Sequence, residues 1–300
     1  MLLLIRPAAF SFNAQTAVNN YFQPSSAEED SLTIHMSAVA EFEAMLSLLK
    51  TADIETVVVQ DTSDPHTPDS IFPNNWVSFH EQGHVLYPMY ALNRRLERAL
   101  DIWSSIPSST LFLDLSEFET KGLFLEGTGS LVLDRTNRIA FAALSERTSI
   151  DLVQRWCEAM GYTPISFVAN QTVENKRLPI YHTNVMMSVG TGYALWCPSS
   201  IDNEFDRETV RNALRTGNKE LIAISEEQMH AFAGNILQVF NRRNESFILM
   251  SSAAESALQG EALNVLKRHG SILSCPIPTI EKYGGGSARC MVAEVIGNRY

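Results

Sequence analysis

Cysteine is scarce in this chain: four residues in 300, Cys157, Cys197, Cys275 and Cys290, with no C-x-x-C pair among them. Four are too few to staple a chain of this length with disulfides, and no Cys and His pairs stand at zinc spacing. Core thiols remain, and for one of them a nucleophile. The chain also lacks H-E-x-x-H, the Lys-Ser/Thr ending of a P-loop and the spacing of a dinucleotide fingerprint, so no metal and no cofactor are implied. His80 and His84 make at most a two-ligand fragment, set across a predicted hairpin turn. Basic residues are short as well. Lys and Arg number 23 against 34 Asp and Glu, and the formal charge of -11 repels a phosphate backbone, which excludes nucleic acid and favours a small cationic or zwitterionic partner. Long hydrophobic runs are missing: Met1 to Ile5 is apolar but stops at Arg6-Pro7, too short for a signal peptide, and no window approaches about eighteen uninterrupted apolar residues. The expectation is a cytoplasmic protein without a membrane partner.

What is present is an ordinary globular composition, 45% hydrophobic and 19% charged. Apolar or β-branched runs bounded by Gly, Asn and Pro predict strands at Met1 to Ile5, Glu55 to Val59, Trp76 to His80, His84 to Tyr87, Thr110 to Leu115, Gly129 to Leu133, Arg138 to Ala143 and Met291 to Ile296. Helical periodicity marks Met36 to Leu49, Leu92 to Ile102, Ser149 to Met160, Asp206 to Leu214, Glu226 to Ala233 and Glu261 to His269. The class is α/β. Hairpins such as the one across Glu81-Gln82-Gly83 argue against a purely parallel sheet, and a strand, strand, helix, strand order recurs without sequence identity between its copies. No low-complexity linker divides the chain, so residues 1–300 are read as one domain.

Four polar clusters at predicted strand ends carry the candidate chemistry: Asp69 to Trp76 (DSIFPNNW), Leu125 to Ser130 (LEGTGS), Tyr181 to Asn184 (YHTN) and Gly284 to Cys290 (GGGSARC). Glycines before a strand let backbone pass close to a ligand and present Cys290 at its rim, and Arg289 beside it favours a thiolate, the reactive form. A free Cys is equally a buried structural thiol on this local evidence. A thiol nucleophile needs a group that moves protons near neutral pH, a role His182 fits. Glu126, between an apolar run and a Gly-Thr-Gly turn, is either a solvated carboxylate or one held at the floor of a pocket.

Taken together, FPNNW, LEGTGS, SERTS, YHTN and GGGSARCM, in the order Glu, His, Cys, resemble the pentein superfamily of guanidino-group-modifying enzymes, in particular its citrulline utilization hydrolase or amidinotransferase-like branch, related to arginine deiminases and dimethylarginine dimethylaminohydrolases. The resemblance runs from Arg6-Pro7 to Cys290-Met291. It implies a five-bladed α/β propeller of ββαβ units, a single pentein-like catalytic domain, and no cofactor. It implies that Cys290 is the nucleophile, His182 the general acid and base, and Glu126 the carboxylate that binds the substrate's planar nitrogen group. Asp69 then contacts the substrate and Arg147, in SERTS, holds an α-carboxylate, a task suited to a bidentate guanidinium. The implied partner is a small amino-acid substrate, and a homodimer accords with the reading.

Two departures from the family pattern bear on the substrate. Where the deiminases close the Phe-containing motif with aspartate, this chain has Asn75, preceded by Asn74; where they place aspartate two residues after the histidine, it has Asn184. A guanidinium has only donors and calls for carboxylates, whereas a ureido group offers a carbonyl oxygen that an amide NH₂ satisfies. The exchange favours citrulline over arginine, giving ornithine, ammonia and carbon dioxide. An arginine deiminase or dimethylarginine hydrolase, an amidinotransferase, and a non-catalytic propeller acting as a binding module are the alternatives.

Overall fold

The computed structural model describes residues 1–24, 26–106 and 109–296. The chain divides into two compact units, Met1–Gly127 with Cys275–Tyr300, and Thr128–Ser274.

The first unit holds two three-stranded sheets. In one, Leu2–Arg6 pairs antiparallel with Ala293–Glu294 and parallel with Thr56–Gln60. In the other, Gly83–Leu86 pairs antiparallel with Val77–His80 and parallel with Leu111–Asp114. Parallel neighbours need a crossover, and the chain supplies Ser31–Thr51 in the first sheet and the helical turns Leu92–Arg95 and Leu96–Ala99 in the second. The second unit repeats the pattern. Ile139–Leu144 lies between antiparallel Val132–Asp134 and parallel Thr163–Val168, crossed by helix Ile150–Met160. Tyr193–Trp196 lies between Met187–Val189 and Glu220–Ala223, crossed by helix Glu204–Leu214. A third sheet runs in the order Leu237–Phe240, Ser246–Ser251, Ser271–Cys275, and a two-stranded hairpin joins Asn170–Val173 to Lys176–Pro179. The recurring order expected from the sequence is thus present as one strand pattern in the described sheets.

Helix Ser31–Thr51 starts where Asp30 accepts from the N–H groups of Leu32 and Thr33. It buries Ile34, Ala38, Phe42, Met45, Leu46 and Leu49, a stripe at helical spacing. Among the described residues it alone is long and apolar enough to cross a membrane, but that stripe is packed inside the unit and Glu41 caps a neighbouring helix. The Glu41 carboxylate accepts from Thr279 N (2.8 Å) and Ile280 N (3.0 Å), the exposed donors of the helix Pro278–Gly284 that leads toward Cys290. Replacing Glu41 with Ala should cost about 1–2 kcal/mol of stability, measured by urea unfolding, because no residue of that helix supplies a cap of its own. An unchanged urea midpoint would count against this role.

Five elements differ from their sequence reading, among them the helix expected at Glu226 to Ala233, which ends at His230 as Phe232 takes φ +60°. The periodic segment 36–49 begins five residues earlier, at Ser31, because the Asp30 cap outweighs the exposure of Leu32 and Met36. Leu92 to Ile102 is not one helix: after Leu96–Ala99 the chain extends, with Arg94 and Glu97 turned inward. Residues 127–130 form a helical turn rather than strand, since Gly127 takes φ +48°, and the following strand is limited to Val132–Asp134. The last strand shortens to Ala293–Glu294 because residues 287–290 form a turn closed by Cys290 N donating to Ser287 O at 2.8 Å.

Candidate active site

Every candidate site residue is at least nine-tenths buried; all lie on a segment entering a strand or in the turn beside it except Arg147, which sits in the turn between strand Ile139–Leu144 and helix Ile150–Met160. Asp69, Asn74, Asn75, Glu126 and Cys290 belong to the first unit; Arg147, His182 and Asn184 belong to the second.

In the first unit, Asn74 and Asn75 occupy the turn Pro73–Asn75 that feeds Val77–His80. Gly127 presses against this turn: a Cβ there would stand 2.2 Å from Asn74 O and 2.9 Å from Asn75 O. A glycine at 127 therefore sets Glu126 beside the two asparagines. Glu126 is fully buried, and its Oε1 accepts from Tyr90 N at 2.9 Å. Asp69 accepts at Oδ2 from Asn13 (2.7 Å) and Thr16 (3.2 Å). Phe72 packs against the glycine run, where a Cβ on Gly284 or Gly286 would meet its ring at 2.7 or 3.0 Å. This is what the glycines before Cys290 are for: the DSIFPNNW turn and the GGGSARC turn share one ring.

Cys290 is 3% exposed and lies one hydrogen bond beyond Ser287, whose hydroxyl donates to Glu281 at 2.6 Å. The Cys157 and Cys275 thiols are pushed up to about 12 by burial, with Glu281 adding to the effect on Cys275, so neither offers a thiolate near neutral pH. Arg289 donates to Val292 O at 3.2 Å.

Sequence reasoning missed Arg94. Only 3% exposed, it forks onto Glu97 (Nε to Oε1 2.8 Å, Nη2 to Oε2 3.0 Å), donates through Nη1 to Asn75 Oδ1 at 2.7 Å, and through Nη2 reaches Phe72 O at 3.1 Å and Asp69 O at 3.4 Å. Burial opposes its charge, but Glu97, Asp69 and Glu126 raise its pKa further. Burial, assisted by Asp69 and Glu126, raises Glu97 against the pull of Arg94. An apolar-looking helix with Arg and Glu three apart reads as a solvated face, and only burial shows otherwise.

In the second unit the motif hydroxyls knit the site segments together. Thr183 Oγ1 donates to Ser130 O (2.6 Å) and accepts from Ala143 N (2.8 Å); Thr148 Oγ1 donates to Ser130 Oγ (2.8 Å), which donates to Arg147 O (3.0 Å). Ser145 Oγ donates to Tyr181 O at 2.9 Å. Ser130, SERTS and YHTN thus converge within the second unit. Arg147, 2% exposed, holds its guanidinium over the Tyr181 ring at 5.0 Å, and that ring contacts His182 at 4.6 Å. Asn184 O accepts from Asn235 Nδ2 at 3.1 Å.

The remaining His and Trp residues around these turns have other surroundings. His80 bonds to Ser78 (2.7 Å), His84 stacks on Trp103 at 4.1 Å with its pKa lowered by burial, Trp76 lies in the core beside Leu3 and Ile5, and His66 is exposed. Among the described residues no group of three or more His, Cys, Asp or Glu could hold a metal.

Solved structures identify the architecture. The chain matches the N-terminal domain of ArgZ, an arginine dihydrolase from the ornithine-ammonia cycle in cyanobacteria, with a TM-score of 0.76 at 17% identity, covering 99% of this chain and 98% of that one. It matches unliganded AgrE with a TM-score of 0.76 at 20% identity, over 100% of this chain and 40% of that one. A dimethylarginine dimethylaminohydrolase carrying an S-methyl-L-thiocitrulline adduct matches with a TM-score of 0.65 at 14% identity, over 97% and 98%. The fold is the mixed α/β fold of the penteins. A family model described as eukaryotic N,N dimethylarginine dimethylhydrolase matches residues 6–297, and the chain belongs to that family. It is a hydrolase of guanidino-type C–N bonds that uses a cysteine nucleophile. No curated protein matched in a sequence comparison.

Proposed function

We propose that the enzyme hydrolyses citrulline to ornithine, ammonia and carbon dioxide. The observation that carries this reading is Asn75. An arginine has no acceptor, so the atom of Asn75 facing Arg94 Nη1 is the carbonyl oxygen; Nδ2 is then a buried donor with no hydrogen-bond partner among the described residues. A buried donor left unmet costs about 1–3 kcal/mol, and the ureido oxygen of citrulline is the acceptor a guanidinium cannot provide.

In this reading the Cys290 thiolate adds to the ureido carbon, and His182 protonates the departing nitrogen. Water deprotonated by His182 then releases the carbamoyl group from sulfur as carbamate, which loses carbon dioxide. Glu126 accepts from the planar nitrogens, Asp69 binds near it, Asn74 and Asn184 hold their turns, and Arg147 takes the α-carboxylate. The five-bladed propeller belongs to the same proposal, supported by the repeated strand pattern of the sheets.

A second reading is favoured by the buried carboxylates of Asp69, Glu97 and Glu126 around Arg94, which suit a cationic guanidinium: arginine is taken by two successive hydrolyses, the activity for which ArgZ is named. Incubation with citrulline, arginine, agmatine and dimethylarginine, followed by ornithine, citrulline and ammonia analysis, separates the two. Ornithine from citrulline alone supports the first; citrulline accumulating from arginine without ornithine would sink both.

Replacing Asn75 with Asp puts an acceptor where the donor was. The kcat/KM for citrulline should fall about 10- to 100-fold, and that for arginine should rise relative to it, since a charged hydrogen bond is worth about 1.5–3 kcal/mol. Equal losses on both substrates would show that position 75 does not read the planar group.

A further inference from the structure

We infer that Arg94 and Glu97 are positioning residues that set the substrate preference of the site by fixing which way the Asn75 amide faces. The inference rests on the citrulline reading above. An asparagine amide is nearly symmetric in shape and can present either its oxygen or its NH₂ group. Something must settle the choice, and here it is a group without any acceptor. Arg94 Nη1 stands 2.7 Å from Asn75 Oδ1, so rotating the amide by half a turn would set donor against donor in a site where both residues are only 3% exposed.

Arg94 is itself held so that it cannot swing away. Its Nε and Nη2 fork onto both oxygens of Glu97, and Nη2 also reaches the carbonyl oxygens of Phe72 and Asp69, the two residues that close the turn before Asn74. Phe72 N in turn donates to Asp69 O at 3.0 Å. The guanidinium therefore reads the backbone of the turn and the side chain at its end at once. Lysine, with a point charge on a flexible stem, cannot hold the fork and the amide together. Glu97 holds Arg94 by both carboxylate oxygens and so reaches the Asn75 amide through it.

The test compares kcat/KM for citrulline and for arginine in wild type, Arg94→Lys, Glu97→Gln and the double variant Asn75→Asp/Arg94→Lys. Glu97→Gln keeps the side-chain shape and guards against an Arg94 variant that fails to fold, with urea unfolding reporting on each protein. The expected result is a citrulline-to-arginine ratio that falls at least fivefold in Arg94→Lys and in Glu97→Gln, with Asn75→Asp shifting the ratio less when Arg94 is already Lys. A merely structural pair would lower both substrates together and leave the ratio where it was, which overturns this inference while the citrulline reading stands. A wild-type enzyme that does not turn over citrulline overturns both.

Discussion

Cys290→Ala should abolish ornithine and ammonia release from citrulline, with a loss of at least about 10⁴-fold in kcat, while its urea midpoint stays within about 1 kcal/mol of wild type. The size follows from the mechanism. Removing the thiolate removes the covalent intermediate, and nothing else on the Gly284 to Cys290 turn offers a nucleophile: Ser287 is fully buried and already donates to Glu281. The contrast is with Cys275→Ala, which lies in the same unit and carries a thiol that burial keeps protonated; activity should persist there. Turnover in Cys290→Ala above about one hundredth of wild type would assign the chemistry to another group. Calorimetry on the alanine variant should then report citrulline binding free of turnover.

Gly127→Ala should destabilise the first unit strongly. Two costs add. The φ of +48° is one that an L side chain occupies at a cost of roughly 1–2 kcal/mol, and the new Cβ would stand 2.2 Å from Asn74 O, a backbone atom that cannot rotate away. Overpacking of this kind costs about 1–3 kcal/mol more. Gly122 separates the two effects: its φ is +67° with nothing within 4 Å of the Cβ position, so Gly122→Ala should show the backbone cost alone. A sum of about 3 kcal/mol or more for Gly127→Ala against about 1 for Gly122→Ala is the expected outcome of paired urea titrations. Activity should drop with it, since relief of the contact moves Glu126 and the Asn74-Asn75 turn apart. Equal costs at the two positions would show that the turn yields freely.

The strand pattern was readable because hairpins announce themselves through Gly83 and the β-branched runs around it, and because Ser, Asp and Asn caps open the helices. The candidate side chains were readable for a different reason: each sits in a turn whose glycines, hydroxyls and amides shape backbone rather than fill a core. Tertiary detail was not. Nothing local distinguishes Leu92 to Ile102 from an amphipathic helix, and the choice to break it is made by Arg94 and Glu97, whose partners Phe72, Asn75 and Asp69 come from a different stretch of chain. The helical turn at 127–130 was hidden likewise, because the carbonyl that demands glycine belongs to Asn74. Asn75 was singled out as an amide in place of a carboxylate. Its orientation was invisible, since nothing in the sequence marked Arg94, the residue that fixes it.

Strand Leu2–Arg6 has one neighbour from early in the chain, Thr56–Gln60, and one from its far end, Ala293–Glu294. The second pairing closes a loop of nearly the whole described chain, a slow event by contact order. On a ribosome it waits until residue 294 has emerged, so the turn that presents Cys290 is ordered after the strands that precede it. A nascent chain that has not yet released residue 294 therefore carries a thiol without its setting.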